Sequence, residues 1–93
     1  MDPQFGVREG ELANAARRAA FAADLREARR EKGKTQQELA DLMGVTQVTV
    51  SSWERGKSAP DIHTVRTIEQ RLDLDPNRLT SHFGIQFVET GET

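Results

Sequence analysis

Residues 33–57, GKTQQELADLMGVTQVTVSSWERGK, decide the fold of this chain. Thr35 stands three residues before Glu38, and this spacing is a capping box that predicts the start of a helix. The pair Gly44-Val45 ends that helix and forms a short connection, after which Thr46 can cap another helix. The stretch therefore predicts two short helices joined by a tight turn.

A longer helix is predicted before this pair. Residues 15 to about 32 are rich in Ala, Arg, Glu and Leu, which are strong helix formers. Phe21, Leu25 and Ala28 are spaced i, i+4 and i+7, so they share one face. Gly33 follows at the position where a left-handed residue ends a helix.

Two more helices are predicted after the pair. Asp61 can cap a fourth helix, because apolar residues follow it at helical spacing. These apolar residues are Ile62, Val65, Ile68 and Leu72. Asp75-Pro76 is a cap followed by proline at the first helical position, which predicts a short fifth helix to about His82.

The chain is therefore expected to form one all-α domain with an irregular segment at each end. The five predicted helices occupy residues 15–83, which suffice for a single small core. Residues 1–14 are expected to be a disordered N-terminus or an addition from cloning. Residues 84–93 form a C-terminal tail, and residues 84–89 begin with the alternating pattern of a β-strand.

The composition excludes several classes of protein. The chain has 93 residues and no cysteine, so disulfides and thiolate sites are absent. No apolar stretch approaches the roughly 20 residues of a membrane-spanning helix, and no signal-peptide pattern occurs, so a cytoplasmic location is expected. His63 and His82 stand apart from other metal ligands, and no nucleophile–base pair or phosphate loop is present. Neither an enzyme, a metal site nor a cofactor is predicted.

The charge is unevenly distributed. The formal net charge is −2, but residues 15–34 carry seven basic side chains against three acidic ones. Arg55 and Lys57 add further positive charge after the third predicted helix. This pattern permits a nucleic-acid surface, although ordinary solvated helix faces would also produce it.

The third predicted helix carries the most informative surface. Val50 and Trp53 suffice for its inward face, so its other side chains point outward. These outward residues are Gln47, Val48, Thr49, Ser51, Ser52 and Arg55. Gln pairs with adenine, Ser and Thr are adaptable, and an exposed Val can pack on a thymine methyl. Reading of DNA bases and ordinary polar surface both remain open on these residues alone.

Residues 21–79 resemble the Cro/repressor (XRE-like) family of helix-turn-helix DNA-binding domains, found in lambdoid phage repressors and bacterial regulators. The resemblance rests on four motifs and continues through the apolar spacing of the fourth helix. The motifs are Leu25-Arg26-Glu27-Ala28-Arg29, Gly33-Lys34-Thr35-Gln36-Gln37-Glu38-Leu39-Ala40, Gly44-Val45-Thr46-Gln47 and Ser52-Trp53-Glu54-Arg55-Gly56-Lys57. It implies a five-helix, lambda-repressor-like domain.

The resemblance also implies residue roles. Gln47 would read a base, most often adenine, while Val48 and Ser52 would lie on neighbouring base edges. Gln36 would hold a phosphate and brace Gln47. Contacts that set register through phosphates are implied for Thr46, Thr49, Arg55 and Lys57. Arg29 and Glu54 match an ion pair inside the family's fold.

The implied function is a homodimeric transcriptional regulator, most often a repressor, bound to a pseudo-palindromic operator in double-stranded DNA. Helix five and residues 84–89 are the apolar candidates for the dimer surface, since Phe83, Ile85 and Phe87 would otherwise be exposed. One alternative is an antitoxin-type module that binds a protein partner and uses DNA binding for autoregulation. Another is a domain of this fold that has lost DNA binding.

Overall fold

The computed structural model describes residues 15–84. Four α-helices and a final 3-10 helix follow one another in this part of the chain, and no strand occurs in it. Their bounds are α1 (Ala15–Glu31), α2 (Gln36–Met43), α3 (Gln47–Glu54), α4 (Ile62–Arg71) and the 3-10 helix (Thr80–Phe83). The all-α class is confirmed. The expectations for residues 1–14 and for a strand after Gly84 lie outside the described residues.

Side-chain caps begin the second, third and fourth helices at the residues that the sequence predicts. The Thr35 hydroxyl accepts from the Glu38 amide at 3.0 Å, and the Glu38 carboxylate accepts from the Thr35 amide at 2.8 Å. The Thr46 hydroxyl accepts from the Thr49 amide at 3.2 Å. These bonds satisfy amides that the first turn of a helix leaves without a partner, so they fix where each helix begins.

One hydrophobic core joins all of these elements. The predicted stripe of α1, Phe21, Leu25 and Ala28, is fully buried. Residues 39–83 contribute the other side chains of this core cluster. These are Leu39, Ala40, Val50, Trp53, Val65, Ile68, Leu72, Leu79 and Phe83. Because α3 packs against both α1 and α2, its orientation is set by this core.

The fifth α-helix predicted from Pro76 to about His82 is wrong. Asn77 has a φ of 73°, a left-handed conformation that interrupts an α-helix and that asparagine tolerates well. The amides of Leu79 and Thr80 both donate to Glu69 Oε2 at 2.8 Å. The buried Glu69 carboxylate thus captures amides that a helix would have bonded internally, and only the short 3-10 helix forms.

The expectation that Phe83 is exposed and available for a dimer surface is also wrong. Phe83 is 2% exposed and lies edge-on against Phe21, with ring centroids 5.8 Å apart. It completes the core of its own chain instead. Ile85 and Phe87 lie outside the described residues.

Candidate nucleic-acid interface

The outer face of α3 is the main feature of this surface. Val50 and Trp53 point into the core, as the sequence predicts. Val48, on the opposite side, is 69% exposed and is the one large hydrophobic side chain in residues 15–84 that is mostly in solvent. Gln47 and Ser52 flank it and are partly exposed. An apolar side chain thus lies between two hydrogen-bonding ones on an accessible helix.

A chain of side-chain hydrogen bonds holds Gln47 in place. Its Nε2 donates to Gln36 Oε1 at 2.6 Å, and Gln36 Nε2 donates to Glu54 Oε1 at 3.0 Å. The first residue of α3 is therefore tied to the first residue of α2 and, through it, to the last residue of α3. The hydrogen bond to Gln36 therefore holds the side-chain amide of Gln47 in one orientation.

This series of hydrogen bonds ends in an internal ion pair between α1 and α3. Arg29 Nε lies 2.7 Å from Glu54 Oε2, and Arg29 Nη2 lies 3.0 Å from Glu54 Oε1, which is a bidentate arrangement. The Glu54 side chain is 1% exposed. The hydrogen bond to Glu54 raises the pKa of Arg29, although desolvation acts in the opposite direction. The two charges are thus placed together and almost out of contact with water.

Two further α1 arginines hold the end of α3. Arg26 Nη1 donates to the Glu54 carbonyl and Arg18 Nε donates to the Gly56 carbonyl, both at 3.3 Å. Positive groups are favourable at the C-terminal carbonyls of a helix. Neither residue was predicted from the sequence to have a role, although their i, i+8 spacing on α1 would have placed them near one face.

The predicted phosphate-contact residues lie at the two ends of α3. Thr46 is the cap of α3, and its hydroxyl is 2.9 Å from that of Thr49. Arg55 is exposed, and its Nε donates to the Ser51 carbonyl at 3.4 Å. Lys57 is exposed in the turn that follows. Together with Gln36 these residues border the outer face of α3.

Ser58 is a further residue of this surface that was not predicted from the sequence. Its hydroxyl is 2.8 Å from the hydroxyl of Ser52, so the loop after α3 contributes a polar group to the same surface. No sequence motif indicates this contact, because it depends on how the turn after α3 folds back.

The charges of α1 are separated between two sides of the helix. Arg18, Arg26 and Arg29 contact α3 and its following turn. Asp24 and Glu31 instead bind Arg78 at 3.0 and 2.8 Å, away from that side. Hydrogen bonds from Arg78 hold the pKa of the Glu31 carboxyl below its usual range. The acidic side chains Asp24 and Glu31 are thereby held on the side of α1 away from α3.

In the described part of the chain, no group of three His, Asp or Glu side chains lies close enough together to bind a metal ion. Nor does any helix between residues 15 and 84 have the length and apolarity needed to span a membrane. An open groove of about 270 Å³ is lined by Lys34, Glu38, Asp41 and Leu42, none of which belongs to the predicted site.

The chain belongs to the helix-turn-helix family HTH_3, which matches residues 25–79, more than half of its length. The family predicted from the sequence motifs is thereby confirmed. The chain is 35% identical over 54 residues to the uncharacterized HTH-type transcriptional regulator YqaE of Bacillus subtilis, covering 58% of this chain and 47% of that protein. It is 31% identical over 67 residues to the SPbeta prophage-derived uncharacterized HTH-type transcriptional regulator YonR of the same species, covering 72% of this chain and 62% of YonR. The chain thus spans about half to two thirds of these relatives.

Solved structures of regulators have the same fold. The restriction-modification controller protein C.AhdI of Aeromonas hydrophila superposes with a TM-score of 0.64 at 33% identity, covering 69% of this chain and 97% of that one. An HTH_3 family transcriptional regulator of Vibrio cholerae superposes with a TM-score of 0.61 at 28% identity, covering 74% of this chain and 36% of that one. The elements α2 and α3 are accordingly the two helices of a helix-turn-helix.

Proposed function

We propose that this chain is a sequence-specific DNA-binding transcriptional regulator, a repressor that places α3 in the major groove. The outer face of α3 carries the proposal, because the exposed Val48 lies beside a Gln47 amide that Gln36 holds in one orientation. An α-helix with its side chains is about 10–12 Å in diameter, which fits the roughly 12 Å width of the major groove. The names of the relatives, which are HTH-type transcriptional regulators, support the same class.

Different side chains of this surface contact bases and phosphates. Gln47 reads adenine through paired hydrogen bonds, Val48 packs on a thymine methyl, and Ser52 contacts a neighbouring base edge. Phosphate contacts set the register of the helix in the groove. The residues proposed for them are Gln36, Thr46, Thr49, Arg55 and Lys57. The internal pair Arg29–Glu54 acts indirectly, because it anchors Gln36 and the end of α3.

The active species is a homodimer, since one short helix offers few base contacts. Two-fold symmetry then requires a pseudo-palindromic operator with half-sites about 34–36 Å apart, one turn of DNA. A regulator of this kind is cytoplasmic and is associated with the nucleoid when it is bound to DNA.

Selection from a randomised duplex library, near the physiological ionic strength of about 0.15 M, tests the proposal. The folded protein is expected to enrich a two-fold symmetric motif. Gln47→Ala should relax one position of that motif, whereas Arg55→Ala should weaken binding to all sequences. Gln70→Ala, an exposed glutamine on α4, is the matched control and should leave the motif unchanged. No enrichment by protein shown to be folded would refute the proposal.

A further inference from the structure

The turn after α3 brings the following loop back alongside the last turn of the helix. The amide of Gly56 donates to the Trp53 carbonyl at 3.2 Å, and the amide of Lys57 donates to the Ser52 carbonyl at 3.1 Å. Gly56 has a φ of 74°. These features define a Schellman motif, in which a left-handed residue reverses the chain at a helix end. The residue after Lys57 is consequently placed beside Ser52.

That residue, Ser58, forms a hydroxyl pair with Ser52 at an oxygen–oxygen distance of 2.8 Å. Ser58 is exposed and Ser52 partly exposed, so the pair lies at the surface beside the outer face of α3. A serine inside a helix commonly bonds back to the carbonyl of the preceding turn. The bond from Ser52 runs instead sideways to the loop, and this geometry holds its side chain toward the loop side of α3.

We propose that Ser58 is a positioning residue for sequence recognition, which acts by orienting the hydroxyl through which Ser52 reads a base. This inference rests on the proposed function and extends it from the helix to the loop. Two hydroxyls hold two protons, and the bond between them uses one. When Ser58 donates to Ser52, the proton of Ser52 is directed to a base acceptor. When Ser52 donates to Ser58, its oxygen accepts from a base amino group.

The consequence is specific to one base position. Without Ser58 the Ser52 hydroxyl can turn back to the carbonyl of the preceding helical turn, and its contact with the base loses orientation. Discrimination should therefore fall only at the position that Ser52 reads. A hydroxyl that merely touched a phosphate would instead affect all sequences alike, since phosphate contacts carry no sequence information.

The test compares the base preferences of Ser58→Ala, Ser58→Thr, Ser52→Ala and the Ser52→Ala/Ser58→Ala double variant in the randomised duplex selection. Ser52→Ala identifies the position that Ser52 reads. There, Ser58→Ala should reduce discrimination about fivefold, the amount expected for one neutral hydrogen bond. Ser58→Thr keeps the hydroxyl and should restore the preference, and Ser58→Ala should have no added effect in the Ser52→Ala background. Ser81→Ala, an exposed serine of the 3-10 helix, is the control.

Several results would overturn the inference. These are a uniform loss of affinity in Ser58→Ala, an unchanged preference, or the same effect when Ser52 is already alanine. If the unmodified protein enriches a motif and one of these results is obtained, the role of Ser58 fails while the proposed function stands. If the unmodified protein enriches nothing, both fail together. The fluorescence of the single tryptophan, Trp53, which is buried in the core, verifies that each variant is folded.

Discussion

Replacing Arg29 by methionine should strongly destabilise the domain, because it leaves the Glu54 carboxylate buried without its charged partner. Glu54 accepts two hydrogen bonds from Arg29, at 2.7 and 3.0 Å, and one from Gln36 at 3.0 Å. Its side chain is only 1% exposed, so water cannot readily replace the lost bonds. Breaking such a pair from one side costs about 3–5 kcal/mol.

This loss is large relative to the stability of a domain of this size. About 0.05–0.15 kcal/mol per residue gives roughly 4–10 kcal/mol for the 70 described residues. The variant should therefore be partly unfolded at room temperature or have a Tm lower by at least about 12 °C, since 1 kcal/mol corresponds to about 4–8 °C in small domains.

The double variant Arg29→Met/Glu54→Leu provides the comparison. Removing both charges leaves no buried ion without a partner, and such replacements are often neutral or stabilising. The double variant should recover more than half of the loss, although Lys34 loses the donor to its carbonyl, which Arg29 Nη1 provides at 2.7 Å. Urea unfolding, followed by Trp53 fluorescence, measures the free energy of unfolding of the unmodified protein and of both variants.

Two outcomes would refute this reasoning. One is a loss below about 1 kcal/mol in Arg29→Met, which is the range of exposed ion pairs. The other is a double variant no more stable than Arg29→Met, because the two substitutions would then act independently.

Three further predictions concern the surface of α3 and the cap of α4. The position that Val48 contacts is identified by the change of preference in Val48→Ala. Replacing thymine by uracil there should weaken DNA binding by about 0.8 kcal/mol, the contribution of one buried CH2 unit, and should leave the affinity of Val48→Ala unchanged. Equal losses of affinity in both proteins would contradict the contact. Arg55→Ala should make the negative slope of log K against log salt smaller in magnitude by about 0.9, the amount for one phosphate contact in B-DNA. An unchanged slope in salt titrations would count against that contact. The amide of Thr64 donates to Asp61 and holds the pKa of this carboxyl below its usual range; the associated stability is present above the unfolded pKa and is lost as pH falls through the lower folded pKa, below about pH 4. Asp61→Asn keeps a capping side chain without a titrating group. It should reduce the dependence of the free energy of unfolding on pH in that acid range, as measured by urea unfolding. An unchanged dependence on pH would argue against the cap as its source.

The helices and their beginnings could be predicted because local chemistry determines them. The Thr35–Glu38 capping box and the cap at Thr46 use only side chains within one turn, so the sequence contains all the required information. The apolar spacing of α1 likewise identified Phe21 and Leu25 as core residues.

The fifth helix could not be predicted because a distant residue decides its structure. Glu69 lies on α4, ten residues before Leu79, and its buried carboxylate binds the amides that the local pattern assigned to a helix. Asn77 was the available signal, since asparagine is among the few residues that readily adopt a left-handed conformation.

The candidate site was predictable in its residues but only partly in its connections. The outward position of Val48 follows from helical periodicity once Val50 and Trp53 are assigned to the core. The contact of Arg26 with the end of α3 and that of Ser58 with Ser52 join segments whose spacing depends on packing and on a turn. Such contacts cannot be obtained from residue spacing alone.

Nuclear Overhauser effects between protein and DNA, measured in the complex with the selected duplex, test whether the outer face of α3 reads DNA. Contacts are expected from the Val48 methyl groups to major-groove protons, including the thymine methyl, and none from the opposite side of α1 near Asp24 and Arg78. Contacts from the Asp24–Arg78 side, with none from Val48, would contradict the claim that the outer face of α3 reads DNA.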